Sequence, residues 1–216
     1  MTGKQRIDWS IITTVTKMHF SKILAGVAMT STVMAALTPQ QIVDGIRLIT
    51  QKSQALQAPA QSITVLNGPL IAIGQGPYPT IIAGFTDIVS TANTLIAQLP
   101  GTAPITKRSE ADEREHPKDL IARGPDAQAV RAAFLNFVAV HQALLNILIG
   151  KAGLFSVVPV IGQPVATALR GVEGVVDSIA ISLIQLIQDP TADITPDANS
   201  LDATLTLSID VYDGLS

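Results

Sequence analysis

Cysteine is absent from the 216 residues of this chain. Its absence excludes disulfide bridges, thiol nucleophiles and thiolate ligands for a metal ion. Aromatic residues are also scarce, at 4%, and the single tryptophan, Trp9, lies close to the N-terminus. The 47% of residues that are hydrophobic are therefore mostly aliphatic. A core of Ile, Leu, Val and Ala favours close-packed helices over a β-sandwich.

Positive charge is also limited. Residues 36–216 contain ten Lys and Arg against sixteen Asp and Glu, a net charge of about −6. A nucleic-acid footprint needs a basic stripe, usually with aromatic residues interleaved, and no such stripe is present in the sequence. The composition therefore predicts that the protein has no nucleic-acid partner.

The motifs of the common enzyme classes are missing as well. Residues 37–216 contain two histidines, His116 and His141, and no serine lies in a nucleophile elbow. The segment GQGP has neither the spacing nor the lysine of a phosphate-binding loop. Glu173 and Asp177 are four residues apart and are expected on an exposed helix face, where they repel each other weakly. We therefore predict a non-enzymatic protein without a metal ion or cofactor.

The stretch that begins at Met18 has the order of a secretory signal peptide. A lysine precedes the apolar run Ile23–Met29, and small residues flank a potential cleavage site at Val33–Ala35. We expect residues 1–36 to be a leader and residues 37–216 to form one helical domain. The main prediction for localisation is therefore secretion, to the medium or the cell wall. A mitochondrial leader is the alternative, because the residues before Met18 are basic and rich in hydroxyl groups.

Five stretches after the leader carry apolar residues at every third or fourth position, which is the spacing of a helix. Thr38 and Pro39 suit the N-cap and the first position of the first helix. The predicted helices cover residues 38–63, 80–99, 126–150, 163–188 and 199–213. The sequence thus predicts an all-α fold, an antiparallel bundle of four to five helices.

A charged connection at residues 106–126 interrupts this apolar pattern. It contains five basic and five acidic side chains before Gly124-Pro125. We expect an exposed and partly disordered connection, because it offers little apolar surface to bury. A processing or docking site at Lys107-Arg108 is the alternative.

Residues 132–149 are long and apolar enough to raise the question of a membrane span. Asn136, Gln142 and Asn146 share one sector of this helix with small residues. Such a sector suits a core helix with one outer face in water. We therefore expect no stable membrane span.

His141 lies in the middle of the apolar face of the third predicted helix. Two interpretations are open: a neutral core histidine bonded to a carbonyl or a buried water, or a polar contact for the head group of an apolar ligand inside the bundle. The candidate ligand-binding residues of the second interpretation are Phe85, Phe134, Phe137, His141, Leu145, Phe155, Val158 and Val176.

The connection Leu154–Ile161 is apolar, which is unusual for a connection between helices. If it is exposed, it marks a place where a partner, a lipid or a hydrophobic surface binds. The alternative is that it folds back and caps the core.

Five segments share the apolar spacing of one known family. They read IVDGIRLITQKSQALQAPAQSI (42–63), TIIAGFTDIVSTANTLIAQL (80–99), AFLNFVAVHQALLNILIGKAGLF (133–155), VATALRGVEGVVDSIAISLIQLI (165–187) and LDATLTLSIDVYDGL (201–215). With the terminal aliphatic-x-x-Tyr, Ile209–Tyr212, they resemble the fungal hydrophobic surface-binding protein A family, which includes cell-wall galactomannoproteins. The charged connection departs from the family pattern and looks like an insertion.

The resemblance implies a secreted, all-helical and non-enzymatic protein. Members of that family are thought to adsorb to hydrophobic solids, to help bring secreted hydrolases to them and, in some cases, to hold fatty acids in the bundle. The expected partners are therefore hydrophobic surfaces, long-chain lipids such as fatty acids, or both, with hydrolases in addition. A mitochondrial or membrane-associated helical protein that acts as a structural or interaction module is the alternative.

Overall fold

The computed structural model describes residues 36–67, 70, 74–105, 127–155, 161–189 and 192–215. In these ranges the chain forms five α-helices: α1 Pro39–Gln61, α2 Pro77–Gln98, α3 Ala127–Ala152, α4 Gly162–Leu186 and α5 Thr195–Asp213. Two short 3-10 helices follow α1 and α3, at Val65–Asn67 and Gly153–Phe155. No strand occurs in the part of the chain so described, where the one β-type pairing is an isolated bridge between Ile105 and Ile187. The predicted all-α class is confirmed.

The first helix starts as its sequence predicts. The Thr38 hydroxyl accepts a hydrogen bond from the Gln41 backbone N–H at 3.2 Å, and the Gln41 side chain accepts one from the Thr38 N–H at 2.8 Å. Two N–H groups that a helix leaves unpaired are thereby satisfied, which is the reciprocal arrangement of a capping box. Pro39 occupies the first turn, where its missing N–H costs nothing.

Two helices begin earlier than predicted, in both cases because a proline opens the first turn. Helix α2 starts at Pro77 instead of Thr80, and α5 starts at Thr195 instead of Asn199. Before α5, the Asp193 carboxylate accepts a hydrogen bond from the Thr195 N–H at 2.9 Å. Residues that lie before the predicted starts thus supply the first turns of both helices.

Each helix packs mainly against two others, so the five helices form a closed ring in the order α1, α2, α4, α5, α3 and back to α1. Consecutive helices alternate in direction, as an antiparallel bundle requires. Because α2 and α3 are not neighbours in the ring, and neither are α3 and α4, three neighbouring pairs run parallel: α1/α3, α2/α4 and α3/α5. The α1/α3 contacts show this register, since Ser53 lies opposite His141 and Ile63 opposite Lys151, both 88 residues apart.

Two glycines allow α1 and α2 to approach each other closely. Gly45 of α1 faces the Leu95 side chain, and Gly84 of α2 faces the Leu56 side chain. A Cβ atom at either glycine would press into the leucine opposite. From residue 45 to residue 56 along α1, the partners on α2 go back from residue 95 to residue 84, so α1 and α2 run antiparallel.

The inward faces of the five helices form one apolar cluster, called here the ring interior. Burying a large aliphatic or aromatic side chain contributes roughly 1.5–3 kcal/mol, so this cluster is the main source of stability. Its members without accessible surface include Ile42, Ile81, Phe85, Ile88, Phe134, Leu144, Leu145, Leu148, Leu169, Val172, Leu183, Leu201, Leu205 and Tyr212.

The two ends of the ring differ in chemistry. At the Thr38 end, where α1 begins, Ile105 bridges to Ile187 and the connections carry Asp189 and Asp193. At the Tyr212 end, where α1 and α5 finish, the Lys151 amine donates to the Ile63 carbonyl at 2.9 Å. The connections at the Tyr212 end are rich in Leu, Ile and Val. By sequence, the connections at the Tyr212 end are thus more apolar than those at the Thr38 end.

Helices α2 and α3 are each long and apolar enough to cross a membrane, judged by length and composition alone. Core helices of soluble proteins pass the same test, so it is weak evidence for a span. In the ring, both helices place their largest apolar side chains against other helices rather than outward. Residues 1–35 of the predicted leader and the charged connection at residues 106–126 lie outside the described residues.

The contact of α4 with the end of α5 yields a stability prediction. Gly162 is the first residue of α4, and a Cβ atom there would overlap the Tyr212 carbonyl oxygen, which belongs to the backbone and cannot swing away. Gly162→Ala should therefore destabilise the protein by about 1–3 kcal/mol in chemical denaturation.

Gly174 of the same helix is the matched control, because a Cβ atom there meets no other atom within 4 Å. Gly174→Ala should stabilise the protein by about 0.5–1 kcal/mol through helix propensity alone. Equal effects of the two substitutions would contradict the described packing of α4 on α5.

Candidate functional site

His141 occupies the centre of the ring interior. It lies midway along α3, and none of its surface is accessible to solvent. Its ring lies 5.3 Å from that of Phe137 and 6.3 Å, edge-on, from that of Phe85, measured between ring centroids. An imidazole therefore stands among aromatic and aliphatic side chains, where each of its nitrogen atoms needs a partner within the protein or in a ligand.

One nitrogen has its partner on α1. His141 Nδ1 lies 2.9 Å from Ser53 Oγ, and Ser53 Oγ lies 3.2 Å from the Ile49 carbonyl oxygen. A hydroxyl has one proton, so two arrangements satisfy this chain. Either Ser53 donates to Ile49 and accepts from Nδ1–H, or Ser53 donates to an unprotonated Nδ1.

The other nitrogen, Nε2, is buried and has no hydrogen-bond partner among the described residues. In the first arrangement of the Ser53 bond, Nε2 is an acceptor; in the second, it is a donor. The serine can change its role by rotating its hydroxyl. Nε2 therefore offers a hydrogen bond of either polarity to a group that reaches the ring interior.

Burial lowers the pKa of His141 to about 4. Desolvation penalises the imidazolium form, and no charged side chain nearby compensates for it. His141 is consequently neutral at pH 6 and above. The site is a neutral hydrogen-bonding group in an apolar environment.

Two phenols are buried in the ring at the Tyr212 end. The Tyr212 hydroxyl donates to the Leu148 carbonyl oxygen at 3.0 Å, and the side chains of Tyr78 and Tyr212 interact with each other. Burial raises the pKa of Tyr212 to about 12 and that of Tyr78 further still. Both phenols are therefore uncharged at physiological pH.

The remaining buried hydroxyl groups of the helices are satisfied within their own helix. Thr50 donates to the Ile46 carbonyl oxygen at 2.8 Å, and Ser208 donates to the Thr204 carbonyl oxygen at 2.8 Å. They differ in this respect from His141 Nε2. Nε2 is thus a buried polar atom that lacks the internal pairing of these hydroxyl groups.

The structure places the predicted lining residues as follows. Phe85, Phe137 and His141 are in contact, and the Phe134 ring lies 6.1 Å from that of Phe137. Leu145 and Val176 belong to the same apolar cluster. Phe155 ends the second 3-10 helix, but its side chain lies outside what the structure describes, and so does Val158. Sequence reasoning did not include Tyr78 or Ser53 among the candidate residues.

No cavity of water size adjoins the central side chains. Phe85, Phe134, His141 and Leu145 have no surface that a water-sized sphere can reach. Two of the open clefts, with volumes of about 330 and 380 Å³, lie at the Thr38 end, beside the last turns of α4 and α2. The ring is therefore closed in this structure, and a ligand reaches His141 only if helices separate.

The apolar connection after α3 folds inward at both of its described edges. Leu154 is half-buried against the core, and Ile161 is buried. Residues 156–160, between these edges, lie outside the described part of the chain. The structure thus places only Leu154 and Ile161 of this connection against the core.

The expectation for Glu173 and Asp177 was wrong in one respect. Both are half-buried instead of exposed, because α5 packs against this side of α4. Burial raises the pKa of both carboxyl groups, and Asp202 on α5 raises both further, while Asp177 also raises that of Glu173. Within the described ranges no three His, Cys, Asp or Glu side chains are placed to hold a metal ion.

Comparisons with known proteins identify a fold. No family model and no curated protein sequence matches the chain. Among solved structures, AfMP4p in complex with palmitic acid matches with a TM-score of 0.62 and 16% identity, over 81% of this chain and 99% of that one. The chain has the AfMP4p fold. Ligand-binding domain 2 of the Penicillium marneffei MP1 protein, complexed with multiple arachidonic acids, matches with a TM-score of 0.47 and 14% identity, over 81% and 94%.

The buried imidazole yields a pH prediction. The folded pKa of His141, about 4, lies below the ordinary value of 6.5, so the unfolded chain binds more protons between these values. His141 therefore costs stability as pH falls from about 6.5 to 4, by about 3 kcal/mol at most. His141→Leu should remove this loss, measured as the difference in unfolding free energy between variant and parent at each pH.

The comparison with the variant is needed because Glu173 and Asp177 change the stability in the opposite direction as pH falls. Their raised pKa values mean that protonation stabilises the folded protein as pH falls. The difference between the His141→Leu variant and its parent cancels this shared contribution. A difference that does not change between pH 7 and pH 4.5 would contradict a buried neutral histidine.

Proposed function

We propose that this protein binds long-chain lipids, fatty acids among them, with the acyl chain between the helices and the head group at His141 Nε2. The observation that carries the proposal is the buried, unpartnered Nε2 at the centre of an apolar ring. Leaving a buried polar atom unpaired costs about 1–3 kcal/mol, and a ligand head group would recover this energy. The ring supplies aliphatic and aromatic surface on every side of that atom.

The fold supports this proposal. AfMP4p, which has the same fold, was solved in complex with palmitic acid, so a bundle of this architecture accommodates an acyl chain in that protein. Ligand sites in helical bundles generally lie between facing helices. In the present chain the facing helices α1, α2 and α3 meet at Ser53, Phe85 and His141.

A ligand reaches His141 only if the ring opens, and we expect the helices to separate at the Tyr212 end. The connections at that end are apolar by sequence, and Lys151 on α3 contacts Ile63, two residues after α1, through a single hydrogen bond to its backbone carbonyl. Two polar contacts lie in the middle of the same pair: the Ser53–His141 bond, and the hydrogen bond that the Gln57 amide donates to the Val140 carbonyl oxygen at 3.2 Å. Separation of α1 from α3 would therefore expose Nε2 after few polar contacts are broken.

The broader role follows from the sequence. We propose a secreted, non-enzymatic protein related to the fungal hydrophobic surface-binding protein A family, acting in the medium or cell wall, with secreted hydrolases as further partners. The leader-like segment from Met18 and the five family-like segments support it. A mitochondrial or membrane-associated interaction module is the competing proposal, and the mature N-terminus separates the two.

A second function is favoured by a separate observation. Val65, Leu66 and Leu70 are 59%, 85% and 38% exposed, and they follow α1 at the apolar Tyr212 end. Three exposed aliphatic side chains within six residues mark a contact surface. We propose that this segment adsorbs to hydrophobic solids, independently of lipid binding in the ring.

The lipid proposal is tested on protein recovered from the medium. Native mass spectrometry should show co-purified lipid and an intact mass that fixes the mature N-terminus. After lipid removal, palmitic acid should raise the unfolding free energy, by about 2.7 kcal/mol at a ligand concentration one hundred times Kd. His141→Leu should weaken binding about 10- to 100-fold, since one buried hydrogen bond is lost.

Thr50→Val is the matched control for that substitution. It also replaces a buried polar side chain in the core, but the Thr50 hydroxyl is already bonded to its own helix. The control should bind as the parent does. Absence of any bound lipid together with absence of stabilisation would overturn the proposal, and equal losses in the two variants would remove His141 from it.

Adsorption is tested by depletion of the protein onto polystyrene beads. Leu66→Asp should reduce the affinity about tenfold or more, because burying a leucine on a surface is worth roughly 1.5–3 kcal/mol. Leu207→Asp is the control: Leu207 is 52% exposed but lies on α5, away from the exposed segment. If both variants adsorb as well as the parent, the Val65–Leu70 segment is not the adsorbing surface.

A further inference from the structure

The cations of the described residues lie on the outside of the ring, and each of them already has a partner. Five Lys and Arg side chains occur in the described ranges. The pairs are Arg47 with Asp44, Lys52 with Asp87, Arg131 with Asp197, Lys151 with the Ile63 carbonyl, and Arg170 with Asp213. None of these cations is buried. The ring interior therefore has no positive charge from the described residues.

The polar groups inside the ring are neutral. They are hydroxyl groups and one imidazole: Thr50, Ser53, Tyr78, His141, Ser208 and Tyr212. The buried carboxyl of Asp189 belongs to the connection after α4, at the Thr38 end. A ligand head group at Nε2 would therefore meet hydrogen-bonding groups but no countercharge from the part of the chain that the structure describes.

Charged side chains on the elements around His141 are directed away from it. On α1, α2 and α5 all of them are exposed or half-buried: Asp44, Arg47, Lys52, Asp87, Asp197, Asp202, Asp210 and Asp213. On α3 and α4 the same is true of Arg131, Lys151, Arg170, Glu173 and Asp177. Burial is the cause of the lowered pKa of His141, with no contribution from these charges. The histidine therefore stays neutral across the physiological range.

An ionised carboxylate is a poor fit for such a site. Moving a carboxylate from water into an apolar interior without a cation is so unfavourable that the group takes up a proton instead. A hydroxyl or a protonated carboxyl group has no such penalty. Either can donate to Nε2 or accept from it, and the Ser53 hydroxyl rotates to match.

We propose that the ring selects lipids by a neutral head group: it binds long-chain alcohols as such and fatty acids only in their protonated form. The inference rests on the proposed lipid binding and adds the chemical class of ligand. It also sets the direction of pH dependence. Above its own pKa, a fatty acid loses its neutral form about tenfold per pH unit, and its apparent affinity falls in proportion.

The experiment compares dodecanoic acid with 1-dodecanol, two ligands of equal chain length, on delipidated full-length protein. Dissociation constants are measured by titration calorimetry at pH 6, 7 and 8. The acid should bind about tenfold more weakly with each pH unit, while the alcohol should bind equally at all three. His141→Leu should weaken binding of both ligands.

Arg170→Met and Arg131→Met test the competing arrangement, in which a carboxylate pairs with a cation at one end of the ring. Both variants should bind the acid as the parent does. Acid binding that is independent of pH, and that one of these variants abolishes, would overturn the inference and leave the proposed lipid binding intact. Failure of both ligands to bind at any pH would overturn the proposed function and the inference together.

Discussion

The hydrogen bond between Ser53 Oγ and His141 Nδ1 is the interaction on which the site depends. It joins α1 to α3 at the centre of the ring, and its direction is coupled to which imidazole nitrogen carries the proton. The apolar residues around it lower the local dielectric, so the imidazole stays neutral and its second nitrogen remains costly to leave unpaired. The packing that stabilises the ring is therefore also what leaves Nε2 available to a hydrogen-bonding head group.

Two free-energy terms decide between the closed ring and the proposed ligand-bound ring. Separating helices exposes apolar side chains, which costs roughly 25 cal/mol for each Å². An acyl chain re-covers that surface, and its head group pairs the orphan nitrogen. The parallel neighbours α1 and α3 are suited to such a movement, since the loop after each helix lies at the same end of the ring. A shared apolar end can loosen without disturbing the capped Thr38 end.

Much of this architecture could be predicted from the sequence. The aliphatic stripes specify five helices, and Thr38-Pro39 specify where the first begins, because capping is local chemistry. The order of the helices around the ring could not be predicted, since similar stripes of Ile, Leu and Val pack acceptably in several orders. The Ser53–His141 pair could not be predicted either, because it joins residues 88 positions apart and only the tertiary register brings them together. Glu173 and Asp177 were misplaced because their burial depends on α5, not on their own helix.

The ¹⁵N NMR spectrum of His141 tests the central claim most directly. The chain contains three histidines, and His141→Leu assigns the signal. The account predicts a neutral imidazole at pH 6.5, with one nitrogen unperturbed in the lipid-free protein and shifted when 1-dodecanol is added. An imidazolium signal at pH 6.5, or a spectrum that does not change although the lipid is bound, would contradict it.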